Sequence, residues 1–162
     1  MRNLLLFFLL PTLLFSQSEK FTGSIIMEPQ HYVSIGDWNG DGFNIGGAIE
    51  YQMVELNYFK AEVFVFPDLN GITFTSFQGV VGIHHRTRQD NIRYYTGFRS
   101  GIVYRQGPTP TLGFELGIEY YFNKFFIGLE PTYDYRTDGD VWGKDERNYW
   151  QYSARLKLGI VL

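Results

Sequence analysis

The chain has 162 residues, no cysteine and a formal net charge of -3. That length holds one domain, the charge gives no electrostatic basis for a nucleic-acid partner, and the missing thiols exclude disulfides, thiolate metal sites and a lipid-modified N-terminal cysteine. Aromatics make up 19% of the residues, with 12 Tyr, 15 Phe and 18 Gly, a composition that favours strands and tight turns.

Residues 1–18, MRNLLLFFLLPTLLFSQS, place one cation (Arg2) before an apolar run from Leu4 to Phe15, followed by small polar residues. This is the layout of a secretory signal peptide, with cleavage expected after Ser16 or Ser18, and it leaves residues 19–162 as the folded domain. The run, twelve residues broken by Pro11, is short of the roughly 20 needed to cross a bilayer as a helix. No later stretch qualifies, so an exported chain of this kind is free in solution or embedded as strands.

Strand one is predicted over Lys20 to Ile35, with Phe21, Ile25, Met27, Val33 and Ile35 on one face and Thr22, Ser24, Glu28, Gln30 and Ser34 on the other. Pro29 cannot donate to a ladder, which predicts a bulge or irregular stretch there. Asp37 to Gly42 is a dense run of turn formers. Strand two follows over Gly42 to Met53, with Phe43, Ile45, Ile49 and Tyr51 opposite Asn44, Gly46, Glu50 and Gln52. After a turn near Val54, strand three covers Glu55 to Phe66, where Lys60 and Glu62 oppose Phe59, Val63 and Val65. Pro67 to Gly71 is the next predicted turn. Strand four, Ile72 to His84, sets Phe77, Val81 and Ile83 against Ser76, Gln78 and Gly82, and ends in the basic turn HRTRQDN.

Strand five, Ile92 to Arg105, carries Ile92, Tyr94, Phe98, Ile102 and Tyr104 on one face and Arg93, Gly97, Arg99, Gly101 and Arg105 on the other. Gly107 to Pro110 separates it from strand six, Thr111 to Phe122. That strand divides into Leu112, Phe114, Leu116, Ile118, Tyr120 and Phe122 against Thr111, Gly113, Glu115, Gly117, Glu119 and Tyr121. Asn123-Lys124 predicts a tight hairpin into strand seven, Phe125 to Arg136, in which Phe125, Ile127, Leu129, Tyr133 and Tyr135 oppose Gly128, Glu130, Thr132, Asp134 and Arg136. The longest loop, TDGDVWGKDER, precedes strand eight, Asn148 to Leu162. There Trp150, Tyr152, Leu156, Leu158 and Ile160 face away from Gln151, Ser153, Arg155, Lys157 and Gly159.

Eight antiparallel strands of this length suit a barrel that crosses a membrane at a tilt. The alternative, a soluble lipocalin-like barrel with an oily interior, fails on volume. Strands five to eight alone put more than twenty apolar residues on one face, and an eight-stranded barrel has an interior just wide enough for its own side chains. Glycine gathers on the charged face, where a concave lining is crowded. Tyr94 and Tyr104 stand ten residues apart on the apolar face, which projects to roughly 25 Å at a tilt near 40°, the height of the apolar band between aromatic girdles. Tyr120, Phe122, Phe125, Tyr133, Tyr135, Trp150 and Tyr152 complete the expected girdles. The inward set is then Glu28, Glu50, Glu62, Glu115, Glu119, Glu130 and Asp134 with Lys60, Arg93, Arg99, Arg105, Arg136, Arg155 and Lys157, seven acids and seven bases. Buried charges survive when paired, so a balanced set implies a closed, ion-paired lumen.

With eight strands, an export signal and an ion-paired lumen, the mature chain resembles the small outer-membrane barrels of the OmpX-like and OmpA-transmembrane-domain type. The resemblance is one of pattern, and it implies adhesion, envelope-integrity or accessory roles, contact with outer-membrane lipid and lipopolysaccharide, and an envelope protein as partner. This chain ends in Leu162 where many such barrels end in Phe, and Pro131 lies inside strand seven, which predicts a local bulge.

Two further motifs stand out. Asp37, Asn39 and Asp41 have the spacing that opens a calcium loop, but Ala48 occupies the position of its last acid. A polar hairpin turn accounts for the same residues, and no other cofactor is expected. His84 and His85 are adjacent on a strand and face opposite ways, so they cannot share one ion. A lipid-modifying enzyme would need a histidine paired with a serine and an acid at the membrane border. His31 and Ser34 lie on opposite faces, and no triad is found. The expected function is therefore a non-enzymatic outer-membrane barrel in a structural, surface-interaction or accessory role, with a narrow small-solute channel as the second reading and a lipid-modifying enzyme as the third.

Overall fold

The computed structural model describes residues 21–29, 43–53, 56–69, 72–104, 107–137 and 148–162. They form eight strands: β1 (Phe21–Pro29), β2 (Phe43–Gln52), β3 (Asn57–Leu69), β4 (Ile72–Arg86), β5 (Ile92–Tyr104), β6 (Pro108–Phe122), β7 (Phe125–Arg136) and β8 (Tyr149–Val161). Each pairs antiparallel with its neighbours in the chain, and β1 pairs with β8, so the sheet closes into a barrel with no free edge. Residues 1–18, read above as an export signal, and the Asp37, Asn39 and Asp41 motif lie outside the described residues.

The alternation read from the sequence governs which way each side chain points. Along β6, Thr111, Gly113, Glu115, Glu119 and Tyr121 are buried, whereas Leu112, Phe114, Leu116, Ile118, Tyr120 and Phe122 are exposed. Phe114 is 53% and Leu116 59% exposed, while Arg93, Arg99, Lys60, Glu119 and Glu130 are wholly buried. A fold that exposes its large apolar side chains and buries its charges reverses the order of a water-soluble protein. Only a hydrocarbon solvent makes that arrangement favourable.

Several strand ends differ from expectation. Strand one is described only to Pro29, which holds its place in register opposite Phe43, and residues 30–35 lie outside the described set. The Pro67 to Gly71 turn is shorter than predicted, because β3 runs on through Pro67 and Asp68 to Leu69. Its register against β4 shifts between Phe66 and Leu69, so the proline is absorbed by an irregularity near the strand end. Likewise Pro108, Thr109 and Pro110 belong to β6, opposite Tyr104, Val103 and Ile102. β4 continues to Arg86, two residues beyond His84, and leaves a turn over Thr87 to Asn91. Pro131 produces no bulge. Pairing of β7 with β6 lapses beside it and resumes at Ile118 and Leu129 in the same register, while Pro131 itself sits opposite Ala154 of β8.

Phe21 of β1, Val161 of β8 and the strand ends flanking 53–56, 87–91 and 123–124 share one end of the barrel, here the turn end. The strand ends that flank 30–42, 70–71, 105–107 and 137–148 share the other, the loop end. Asn123 enters its two-residue turn with φ 61°, a left-handed conformation that asparagine tolerates better than most residues.

Candidate functional site

Among the described residues, the lumen is where this fold gathers chemistry. From the turn end upward, Arg93 of β5 binds Glu50 of β2 at 2.6 Å and Glu119 of β6 at 3.0 Å. Lys157 of β8 joins them, 2.7 Å from Glu119 and 3.8 Å from Glu50. At mid-height Lys60 of β3 lies 2.7 Å from Glu130, 2.8 Å from Glu115 and 3.5 Å from Glu62. Arg99 reaches Glu62 and Glu115 at 3.0 Å each and Asp134 at 3.2 Å. Arg155 sits 2.7 Å from Glu62 and 3.8 Å from Glu28, and Glu28 accepts a hydrogen bond from the Ser153 hydroxyl. Nearest the loop end, Arg136 donates to Gln151 at 3.3 Å.

Six bases and seven acids of the expected set are thus inside the barrel, with Arg105 outside the described residues. The barrel's shear brings together residues from strands that are not neighbours, and the arginine forks bridge two or three carboxylates at once. Glu62, Glu115 and Glu130 hold oxygens within 4.8 Å of one another, close enough to ligate a metal ion. Lys60 stands against all three, so its ammonium supplies the positive charge that an ion would bring.

Tyrosine completes the network, and sequence reasoning did not single it out. Tyr58 donates to Glu115, Tyr95 to Glu130 and Tyr121 to Glu119, each at 2.8 Å. The signal was available: Tyr58 shares its face with Lys60 and Glu62, and Tyr95 stands between Arg93 and Gly97. Their rings also serve the cations. Arg93 lies 5.1 Å from the Tyr58 ring centroid and 5.0 Å from that of Tyr95, and Arg155 lies 4.6 Å from that of Phe64. Glycines make room for these rings. A Cβ on Gly117 would collide with Tyr95, one on Gly46 with Phe64 and one on Gly159 with Phe126.

On the outer face, Tyr94 and Tyr104 are exposed near opposite ends of β5, and Tyr120, Phe122 and Phe125 are exposed near the turn end. Towards the loop end Tyr133 is stacked between Trp150, at 4.4 Å, and Tyr152, at 4.2 Å, with Tyr135 tilted against Trp150. That packing leaves Tyr133 and Tyr135 half-buried. His84 turns into the lumen and His85 outward.

No protein-family model and no curated protein sequence matches the chain. Solved structures do. The crystal structure of Neisserial surface protein A (NspA) aligns at a TM-score of 0.60 with 12% identity, covering 90% of this chain and 98% of that one. A de novo designed transmembrane β-barrel aligns at 0.57 with 9% identity, covering 88% and 94%. The N-terminal barrel domain of Pseudomonas aeruginosa OprF aligns at 0.52 with 16% identity, covering 88% and 97%. The chain therefore has the fold of the small eight-stranded outer-membrane barrels, with charges inside and apolar side chains outside.

Proposed function

We propose that this protein is a non-enzymatic integral barrel of a bacterial outer membrane, structural or accessory in role, whose lumen is closed to solutes. The observation that carries this reading is the interlocked core: Lys60, Arg93, Arg99, Glu115, Glu119 and Glu130 are at most 1% exposed and all are ion-paired. An aqueous pore needs charged side chains that line water, not side chains that exclude it. On this reading residues 1–18 direct export, the turn end faces the periplasm, and the girdle residues rest at the two borders of a membrane that contains lipopolysaccharide. On the same reading its partner is another envelope protein.

Single-channel recording tests the closed lumen. Purified protein reconstituted in planar bilayers is expected to show no steady conductance. A stable unitary current in the parent protein refutes the closed core and favours the small-solute channel. Lipid mass profiles of a deletion strain test the non-enzymatic role, and loss of an acyl or sugar modification overturns it.

A further inference from the structure

Among the described residues the outer wall carries a long apolar groove of about 1070 Å³, which crosses the strands from Phe125 and Ile160 near the turn end to Ile102 of β5. Over β3 to β5 its floor is a row of three small residues paired in register, Ala61, Gly79 and Ser100. Bulky rows stand on either side, Val63, Phe77 and Ile102 towards the loop end and Phe59, Val81 and Phe98 towards the turn end. Inside the lumen, glycines are small because rings crowd them. Gly79 has no such cause, since a Cβ there would meet only the Ser100 carbonyl oxygen, at 3.8 Å. The barrel's own packing therefore does not require glycine at this position.

Ser100 supplies a second, independent sign. It is exposed on the outer face four residues from Tyr104, which places it about 10 Å inside the loop-end border of the apolar band. Thr96, four residues away on the same face, donates its hydroxyl to the Glu115 carbonyl oxygen at 3.0 Å. The Ser100 hydroxyl has no hydrogen-bond partner among the described residues. Water is absent at that depth and an acyl chain offers no acceptor, so an unpaired hydroxyl there is unfavourable until another polar group meets it. A hydroxyl both donates and accepts. Two copies of Ser100 brought together on a two-fold axis therefore satisfy each other.

We propose that this face of β3 to β5 is the interface of a homodimer within the membrane, with the two-fold axis along the membrane normal beside Ser100. The shape is self-complementary. Strands tilted near 40° make a register row cross the normal at about 50°, so the two-fold operation lays the row of one copy within about 10° of β5 of the other. Phe98 lies about 7 Å from Ser100 along β5, on the turn side, and falls between Gly79 and Ala61 of the second copy, about 5 and 10 Å from its Ser100. The trough thus receives a ring from the opposite wall, and small residues let the two backbones approach. The six bulky residues around it are 41–60% exposed at most, from Ile102 at 41% to Val81 at 56%. With the floor they offer roughly 600 Å² per copy, about 1200 Å² in all, the lower bound for a specific interface. The proposal rests on the outer face lying in lipid and is independent of the closed lumen.

The chain has no cysteine, so single cysteines introduced into it report on contacts without background. Association is measured in phospholipid vesicles over a range of protein-to-lipid ratios, by energy transfer between copies labelled at Lys124→Cys, an exposed turn position. Saturable transfer of dimer stoichiometry is expected. Oxidation of unlabelled Ser100→Cys protein should form a disulfide at least about tenfold faster than Leu129→Cys, which is equally open but lies on β7. Gly79→Leu and Ala61→Leu each fill the trough and should weaken association at least about tenfold, and Ser100→Ala about threefold. Heat-modifiable electrophoretic mobility shows that each variant is folded. Incorporated protein that stays monomeric at every ratio leaves the trough to a lipid chain or a different protein and overturns the proposal. Undiminished association in folded Gly79→Leu and Ala61→Leu protein, or equal cross-linking at positions 100 and 129, overturns it as well. A chain that does not enter vesicles refutes the membrane reading and the dimer together.

Discussion

Replacing Lys60 by methionine removes the cation at the centre of Glu62, Glu115 and Glu130 while keeping the side chain's length. Taking one partner from a buried ion pair costs about 3–5 kcal/mol. A second route gives a similar size: the three carboxylates hold oxygens within 4.8 Å of one another, and two unit charges at that spacing repel by about 3.5 kcal/mol at an effective dielectric near 20. Arg99 and Arg155 also contact these acids and offset part of the repulsion, so the lower half of the range applies. Adding Glu115→Gln to Lys60→Met removes one of the crowded charges. The double variant should then be less destabilised than the sum of the single changes by about 2 kcal/mol. Equilibrium urea unfolding in phospholipid vesicles, followed by tryptophan fluorescence, measures all four proteins. A Lys60→Met protein within about 1 kcal/mol of the parent, or strictly additive changes, would refute the picture of one interdependent charge cluster.

Two further expectations use the same assay. Gly117→Ala drives a Cβ into the Tyr95 ring and should cost about 1–3 kcal/mol, whereas at Gly79 the nearest atom is the Ser100 carbonyl oxygen at 3.8 Å, and alanine should fall within about 0.5 kcal/mol of the parent. Equal effects at the two sites would contradict the crowded lining. Phe114→Arg places a charge on the exposed outer face in the middle of β6, for which about 2–4 kcal/mol is expected in a bilayer, against about 1 kcal/mol or less for Tyr104→Arg near the strand end. If the two substitutions are equivalent, the outer face is not in hydrocarbon.

The period of two made the faces of β5 to β8 legible, because residues such as Phe114 and Glu115 differ so strongly in their cost of transfer into hydrocarbon. Strand ends were harder to read. Pro67 and Pro110 look like turn residues but lie in strands, since a missing N–H is tolerated near the end of a ladder. Pro131 shows a second solution, a lapse in pairing without an inserted residue. The partners inside the lumen could not be read at all: nothing local to Lys60 points to Glu130, because the contact depends on how far the strands are staggered when the sheet closes. Tyr58 and Tyr95 escaped notice, and Tyr121, though placed on the charged face, was not read as a hydrogen-bond donor, because tyrosine fits an aromatic girdle and a hydrogen-bonded interior equally well.

The long reach of these contacts bears on how the molecule is made. Lys60 and Glu130 are 70 positions apart, Arg155 and Glu62 are 93 apart, and Ser153 and Glu28 are 125 apart. A lone hairpin entering lipid would carry ionised groups whose counterparts still lay elsewhere on the nascent polypeptide, and would be driven back out. Insertion and seam formation must therefore proceed together, with the first and last strands meeting before the hydrocarbon fully surrounds the wall.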